Sequence, residues 1–154
     1  MSAEPRIVAI TDEREPLADA GLALIEEMFA PQDRQALSEL RSELAERRLG
    51  LFANYNFHML AAVYDGDDDP AGVITGVYLG GVNAGFVTYL AVRRRYRGRR
   101  IARLLRPGLI DAFRSDARAA GHPDLAWILG EVRARSPWLR RLVRTRGAIP
   151  FDID

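Results

Sequence analysis

The stretch VRRRYRGRRIARLL, residues 92–105, carries seven arginines in fourteen residues and follows directly on an apolar run, GFVTYLAV (85–92). Guanidinium groups pair bidentately with phosphate oxygens. A helix start adds backbone amides, because its first turn lacks internal acceptors and carries the positive end of the helix dipole. Gly98, with Arg97 before it and Arg99, Arg100 and Arg103 after it, has the form of such a junction. A pyrophosphate would rest on the amides, the glycine would let the backbone come close, and the arginines would add charge. Two other uses of these residues stay open. So basic a cluster attracts polyanions such as nucleic acid, although no helix-turn-helix pair, zinc finger or stacking platform accompanies it and Tyr96 is its only aromatic. It also suits a solvated face whose ion pairs contribute little.

Glu131 is the second residue of chemical interest. It is the only carboxylate in the run LAWILGEV (125–132), which reads as a buried strand. Burial raises a carboxyl pKa, as a base working near neutrality requires. An ion pair with Arg133 or Arg97 is the evenly weighted alternative. His58 is a candidate acceptor-side group, though a lone strand histidine more often packs or hydrogen-bonds. Tyr55, Tyr78 and Tyr89 suit either a pocket lining or the core. Trp127 reads as core. The aspartates of DGDDDPAG (65–72) lack the spacing and terminal Glu of a calcium loop and read as a solvated hairpin tip.

These residues need elements to position them. RIVAI (6–10) reads as a strand, and 16–29 as a helix with Leu17, Leu24, Ile25 and Met28 at helical spacing. Pro31 can open a second helix, with Leu37, Leu40, Leu44 and Leu51 as its apolar stripe and Gly50 as its stop. FHMLAAVY (57–64), AGVITGVYL (71–79) and GFVTYLAV (85–92) form an antiparallel meander joined by turn-rich segments. A helix follows over about 99–120, with Pro107 predicting a kink. Then come the 125–132 strand, a helix over 136–147 capped by Ser136 and Pro137, and AIPFDID (148–154) as the start of a last strand. The whole reads as one α/β domain over 1–154.

Composition narrows the classes. The 154 residues, 48% hydrophobic and 28% charged, are those of an ordinary globular domain. Residues 1–92 carry a charge of −9 and residues 93–146 a charge of +12, which predicts an anionic ligand for the second half and admits a cationic one at the first. All basic residues are arginine, so a lysine Schiff base is excluded, and the absence of cysteine excludes disulfides and thiolate chemistry. With only His58 and His122 there is no metal-ligand spacing. No apolar run reaches membrane-spanning length and no secretory signal is visible, so the expected location is cytoplasmic.

The segment GFVTYLAVRRRYRGRRIARLL, with ILGEV after the helix, resembles the GNAT superfamily of acyl-CoA N-acyltransferases, whose signature Arg/Gln-x-x-Gly-x-Gly/Ala falls on Arg97, Gly98, Arg99, Arg100, Ile101 and Ala102. The resemblance is specific over about 85–132. It implies a mixed, mostly antiparallel α/β (α+β) sheet flanked by about four helices. It implies acetyl-CoA as co-substrate, no metal, and acetyl transfer to a primary amine of a small molecule or protein. The backbone of Leu90 and Val92 would pair with the pantetheine arm, the amide of Val92 or Ala91 would polarise the thioester, the amides of 97–103 would hold the pyrophosphate, and Glu131 would serve as base. Three departures stand against it. Arg100 replaces the signature's middle Gly. Val143 stands where the family often has a Tyr acid, leaving the thiolate to be protonated from solvent. The sequence stops at Asp154, inside the first strand of the family's closing hairpin, where an open edge would favour a homodimer. A non-catalytic acyl-CoA-binding regulatory module is the rival reading.

Overall fold

The computed structural model describes residues 4–131 and 137–146. Five strands form one sheet in chain order. β1 (Arg6–Ala9), β2 (Tyr55–Val63), β3 (Gly72–Leu79) and β4 (Ala84–Val92) pair antiparallel, and β5 (Trp127–Gly130) lies parallel to β4. Helices α1 (Pro16–Met28) and α2 (Leu37–Leu49) separate β1 from β2. Helix α3 (Ile101–Ala119) leads from β4 to β5, and α4 (Pro137–Arg146) follows. This is the mixed, mostly antiparallel α/β sheet with helices that the sequence predicts.

Strand alternation sorts the core into two layers. Phe57, Met59, Ala61, Val73 and Val77 pack with the apolar faces of α1 and α2, including Leu22, Ile25, Leu40 and Leu44. Their neighbours Leu60, Ala62, Ile74 and Tyr78 pack with α3. Helix α3 contributes Ile101, Leu105, Leu109, Phe113 and Ala117, one stripe at four-residue spacing. Phe113 lies so close to β3 and β4 that only glycine fits beneath it. A Cβ at Gly76 would come within 2.6 Å of the Phe113 ring, and one at Gly85 would overlap it.

Several expectations are corrected. The second helix does not open at Pro31. That proline begins a short 3-10 turn, Pro31–Asp33, and α2 starts only at Leu37, so Leu51 falls outside its stripe and is exposed. Helix α3 starts two residues later than expected, and it contains Pro107 as expected. The last strand is short and exposed rather than buried. Trp127, expected in the core, is 64% exposed, because β5 has β4 as its only described neighbour and the apolar run exceeds what that single pairing covers. The predicted cap at Ser136 and the strand at 148–154 lie outside the described residues.

Phe113 is completely buried. Phe113→Ala is expected to cost about 3–5 kcal/mol, read as a lower urea midpoint with an unchanged slope.

Candidate functional site

β4 changes partners along one edge. It pairs with β3 along its length, but with β5 only over Ala84–Val87. The change coincides with a bulge. Thr75 pairs with Tyr89 and Gly76 with Val87, which leaves Thr88 as the extra residue. The side chains record it: Val87 and Leu90 both pack on the α3 layer, while Tyr89 and Ala91 face α1 and α2. Thr75, fully buried, holds the bulge. Its hydroxyl oxygen accepts from the Tyr89 amide at 3.1 Å and lies 2.7 Å from the Thr88 hydroxyl.

Past the bulge the Arg93 amide donates to the Ala71 carbonyl at 2.9 Å. Alternation then turns the main-chain groups of Tyr89, Ala91 and Arg93 toward β3, and those of Leu90 and Val92 toward the opposite edge, where β4 has no strand partner past Val87 among the described residues. Of the two amides considered for the thioester carbonyl, Val92's lies on the edge away from β3 and Ala91's on the β3 edge.

The arginine loop follows directly. A 3-10 turn at Arg94–Tyr96 leads to Arg97 in extended geometry, then to Gly98 at φ +80. Nothing lies within 4 Å of a Cβ built on Gly98, so the glycine is needed for its backbone angle and leaves open space above it. Arg100 is the N-cap of α3 and sits in the left-handed region at φ +61. The carbonyl of Arg100 accepts from the amides of Arg103 and Leu104. Among the described residues, the amides of Gly98, Arg100, Ile101 and Ala102 have no acceptor. Among the described residues no side chain caps the helix, and its first turn holds no carboxylate. The site is therefore a helix N-terminus left open to an anion.

The arginines divide into two groups. Arg93 donates to the Pro70 carbonyl at 3.2 Å and meets Glu27 at 3.5 Å, and Arg95 meets Asp67 at 3.3 Å. Arg99 lies over the Tyr96 ring. Arg97, Arg100 and Arg103 have no ion-pair partner among the described residues. A face paired with the acidic half would have compensated them.

The other predicted residues fall elsewhere. Glu131 lies just beyond Gly130, the end of β5, and is exposed, so the buried carboxylate expected there is corrected. His58 is packed and bonded: its Nε2 lies 2.5 Å from the buried carboxylate of Asp116, which Arg47 approaches at 3.6 Å. Asp116 went unnoticed in the sequence, although a carboxylate on the inner stripe of an amphipathic helix is the signal that marks it. Tyr78 is core, and its hydroxyl donates to Asn83 at 2.9 Å. Burial, with the Asp116 charge, pushes its pKa up.

A groove of about 350 Å³ on the α2 side is lined by Gln35, Ser38, Glu39, Ser42, Glu43 and Glu46. It joins β4 at the bulge, because the Gln35 amide donates to the Tyr89 hydroxyl at 2.8 Å. Glu43 is half-buried and accepts from Gln35 Nε2 and from the Tyr55 hydroxyl. Burial pushes its carboxyl pKa up, the charges of Glu46 and Glu39 add to that, and the two hydrogen bonds work against it. Among the described residues no cluster of three His, Asp or Glu side chains could hold a metal, and no helix is long and apolar enough to cross a membrane.

Comparison with known proteins places this arrangement. The sequence pattern described as the Acetyltransferase (GNAT) family matches residues 22–127. No curated protein sequence matches. An aminoglycoside acetyltransferase from an uncultured soil metagenomic sample, solved with sisomicin, is similar at TM-score 0.67 and 14% identity, over 97% of this chain and 92% of that one. A ribosomal-protein alanine N-acetyltransferase from Escherichia coli is similar at TM-score 0.61 and 18% identity, over 92% and 76%. Glucosamine-6-phosphate N-acetyltransferase from Arabidopsis thaliana is similar at TM-score 0.60 and 11% identity, over 99% and 96%.

A left-handed non-glycine residue costs about 1–2 kcal/mol, while glycine costs about 0.5–1 kcal/mol in chain entropy. Arg100→Gly is therefore expected to stabilise the fold by about 0.5–1 kcal/mol. Denaturant unfolding beside Arg100→Ala, which keeps the strain, checks the sign.

Proposed function

The chain belongs to the acetyltransferase (GNAT) family, and on that premise we propose that it transfers an acetyl group from acetyl-CoA to a primary amine of a cationic acceptor. The observation that carries this reading is the uncapped start of α3, with open amides at Gly98, Arg100, Ile101 and Ala102 and uncompensated charge at Arg97, Arg100 and Arg103. Those groups suit a pyrophosphate, with Arg99 adding a further cation. Leu90 and Val92, on the edge of β4 that has no described partner past Val87, offer the main-chain partners an extended amide-bearing arm requires. Acetyl-CoA supplies the activated thioester carbonyl.

The residues would divide the reaction as follows. The Val92 amide donates to the thioester oxygen as negative charge develops there. The acceptor nitrogen attacks the carbonyl carbon, the carbon–sulfur bond breaks, and the amine loses a proton to a base. Glu131 is our candidate base, directly after Gly130, the last residue of β5. Glu43 is the alternative, favoured by its half-buried setting and raised pKa in the groove that adjoins Tyr89. With Val143 at the position considered for a tyrosine acid, the departing thiolate takes its proton from solvent. The acidic groove favours a cationic acceptor, and aminoglycosides, the substrate class named for one structural neighbour, are the first to test.

Titration with acetyl-CoA tests the reading. At about 100 times its dissociation constant, acetyl-CoA is expected to stabilise the protein by about 2.7 kcal/mol, and Arg97→Glu removes most of that. Amine-dependent thiol release is then followed over polyamines and aminoglycosides. Gln at the true base, position 131 or 43, lowers turnover by about 10²–10⁴-fold with binding intact. Binding without amine-dependent thiol release points to a regulatory module. No stabilisation of folded wild-type protein, with a steep salt slope on DNA or RNA, returns the arginines to a nucleic-acid role.

A further inference from the structure

The acidic β2–β3 turn is not merely a solvated tip. It reaches the arginine loop and grips it from one side. The Tyr96 hydroxyl donates to the Asp67 carboxylate at 2.7 Å. The same carboxylate oxygen takes Arg95 at 3.3 Å, and its partner oxygen accepts from the Asp69 amide at 3.3 Å. The Tyr96 ring stacks on Tyr64 of the preceding strand end, with centroids 5.1 Å apart. Arg95 and Arg99 lie over that ring at 4.9 and 5.5 Å. Arg93 closes the lower end on Ala71 and Pro70. Every one of these contacts falls on 93–96 or 99. None reaches the open amides at Gly98, Arg100, Ile101 and Ala102.

Resting on the reading that residues 97–103 bind the pyrophosphate, we propose that Asp67 and Tyr96 are a positioning pair that sets this loop for acetyl-CoA. The pair touches no phosphate. It holds the 3-10 turn from which Arg97 and Gly98 depart. Because Gly98 has free space and an adaptable backbone, the angle at which the chain enters it decides where the following amides face. Small displacements of positioned groups are costly in binding sites. Asp67 also occupies the charge of Arg95, leaving the later arginines free for the ligand.

The pair makes a prediction of unusual sign. Coulomb attraction alone says that deleting a carboxylate near an anion site tightens anion binding. The pair predicts weaker binding. Acetyl-CoA affinity is measured by calorimetry for wild type, Asp67→Asn, Tyr96→Phe, the double variant and Asp68→Asn, with the ligand-free Tm of each. Tyr96→Phe keeps the stacking ring and loses only the donor. We expect Kd to rise about five- to tenfold in each single variant, corresponding to about 1–1.4 kcal/mol. The double variant should be no weaker than the worse single one. The exposed Asp68→Asn should bind as wild type or tighter, and the Tm of Tyr96→Phe should stay within about 2 °C of wild type.

Wild-type affinity with unchanged or tighter binding in Asp67→Asn and Tyr96→Phe overturns the pair and leaves the site reading standing. Weaker binding that comes only with a large fall in ligand-free Tm makes the contact a general scaffold and overturns it too. A folded wild type without acetyl-CoA affinity overturns the site reading, and the pair's role with it.

Discussion

The first amides of a helix have no acceptor within it, and this chain leaves a run of them without one among the described residues. β4 loses β5 after Val87 and gains no described neighbour on that edge. Helix α3 then begins with no side-chain cap and no carboxylate in its first turn. Among the described residues, the strand edge past Val87 and the helix start without acceptors are close in sequence, joined by a loop of arginines. An extended polar arm ending in a doubly charged phosphate group matches both halves at once. The bulge at Thr88 coincides with the end of the described β5 pairing, and the glycines beneath Phe113 let α3 lie close to the sheet from which it emerges.

Polarity is split across the sheet to the same end. The α2 groove gathers Glu39, Glu43 and Glu46, while the loop at the end of β4 gathers free cations. Tyr89 links the groove to the bulge. Its amide is held at the bulge by Thr75, and its hydroxyl accepts from Gln35 at the lip of the groove. The acidic groove and the basic loop therefore present opposite charge at different places along the sheet. The fold alone does not select the amine, since structurally similar proteins carry names that specify an aminoglycoside, a protein alanine and a sugar phosphate.

The elements with strong periodicity were legible in the sequence. The four-residue stripe of α3 and the alternation of β2 and β3 come directly from residue type, and so did the strand–glycine–helix junction at Gly98. Long-range partners were not legible. Thr75 looks like an ordinary strand residue until its hydroxyl meets Tyr89, fourteen positions away. Asp67 reads as a turn aspartate until Tyr96 donates to it from the loop. Trp127 and Glu131 misled in the opposite direction, because an apolar run states an affinity for burial and not whether a second neighbour exists to provide it. Arg100 could be seen as a departure from the signature, but its left-handed backbone is a property of the loop and not of arginine.

The open amides are the centre of this account, and amide NMR observes them one by one. On adding acetyl-CoA, the N–H resonances of Gly98, Arg100, Ile101 and Ala102 should move downfield as they gain acceptors. Acetyl-pantetheine, which lacks the pyrophosphate, should shift Leu90 and Val92 while leaving those four in place. Saturating acetyl-CoA with the four amides unmoved, or shifts confined to the arginine side chains, would contradict it.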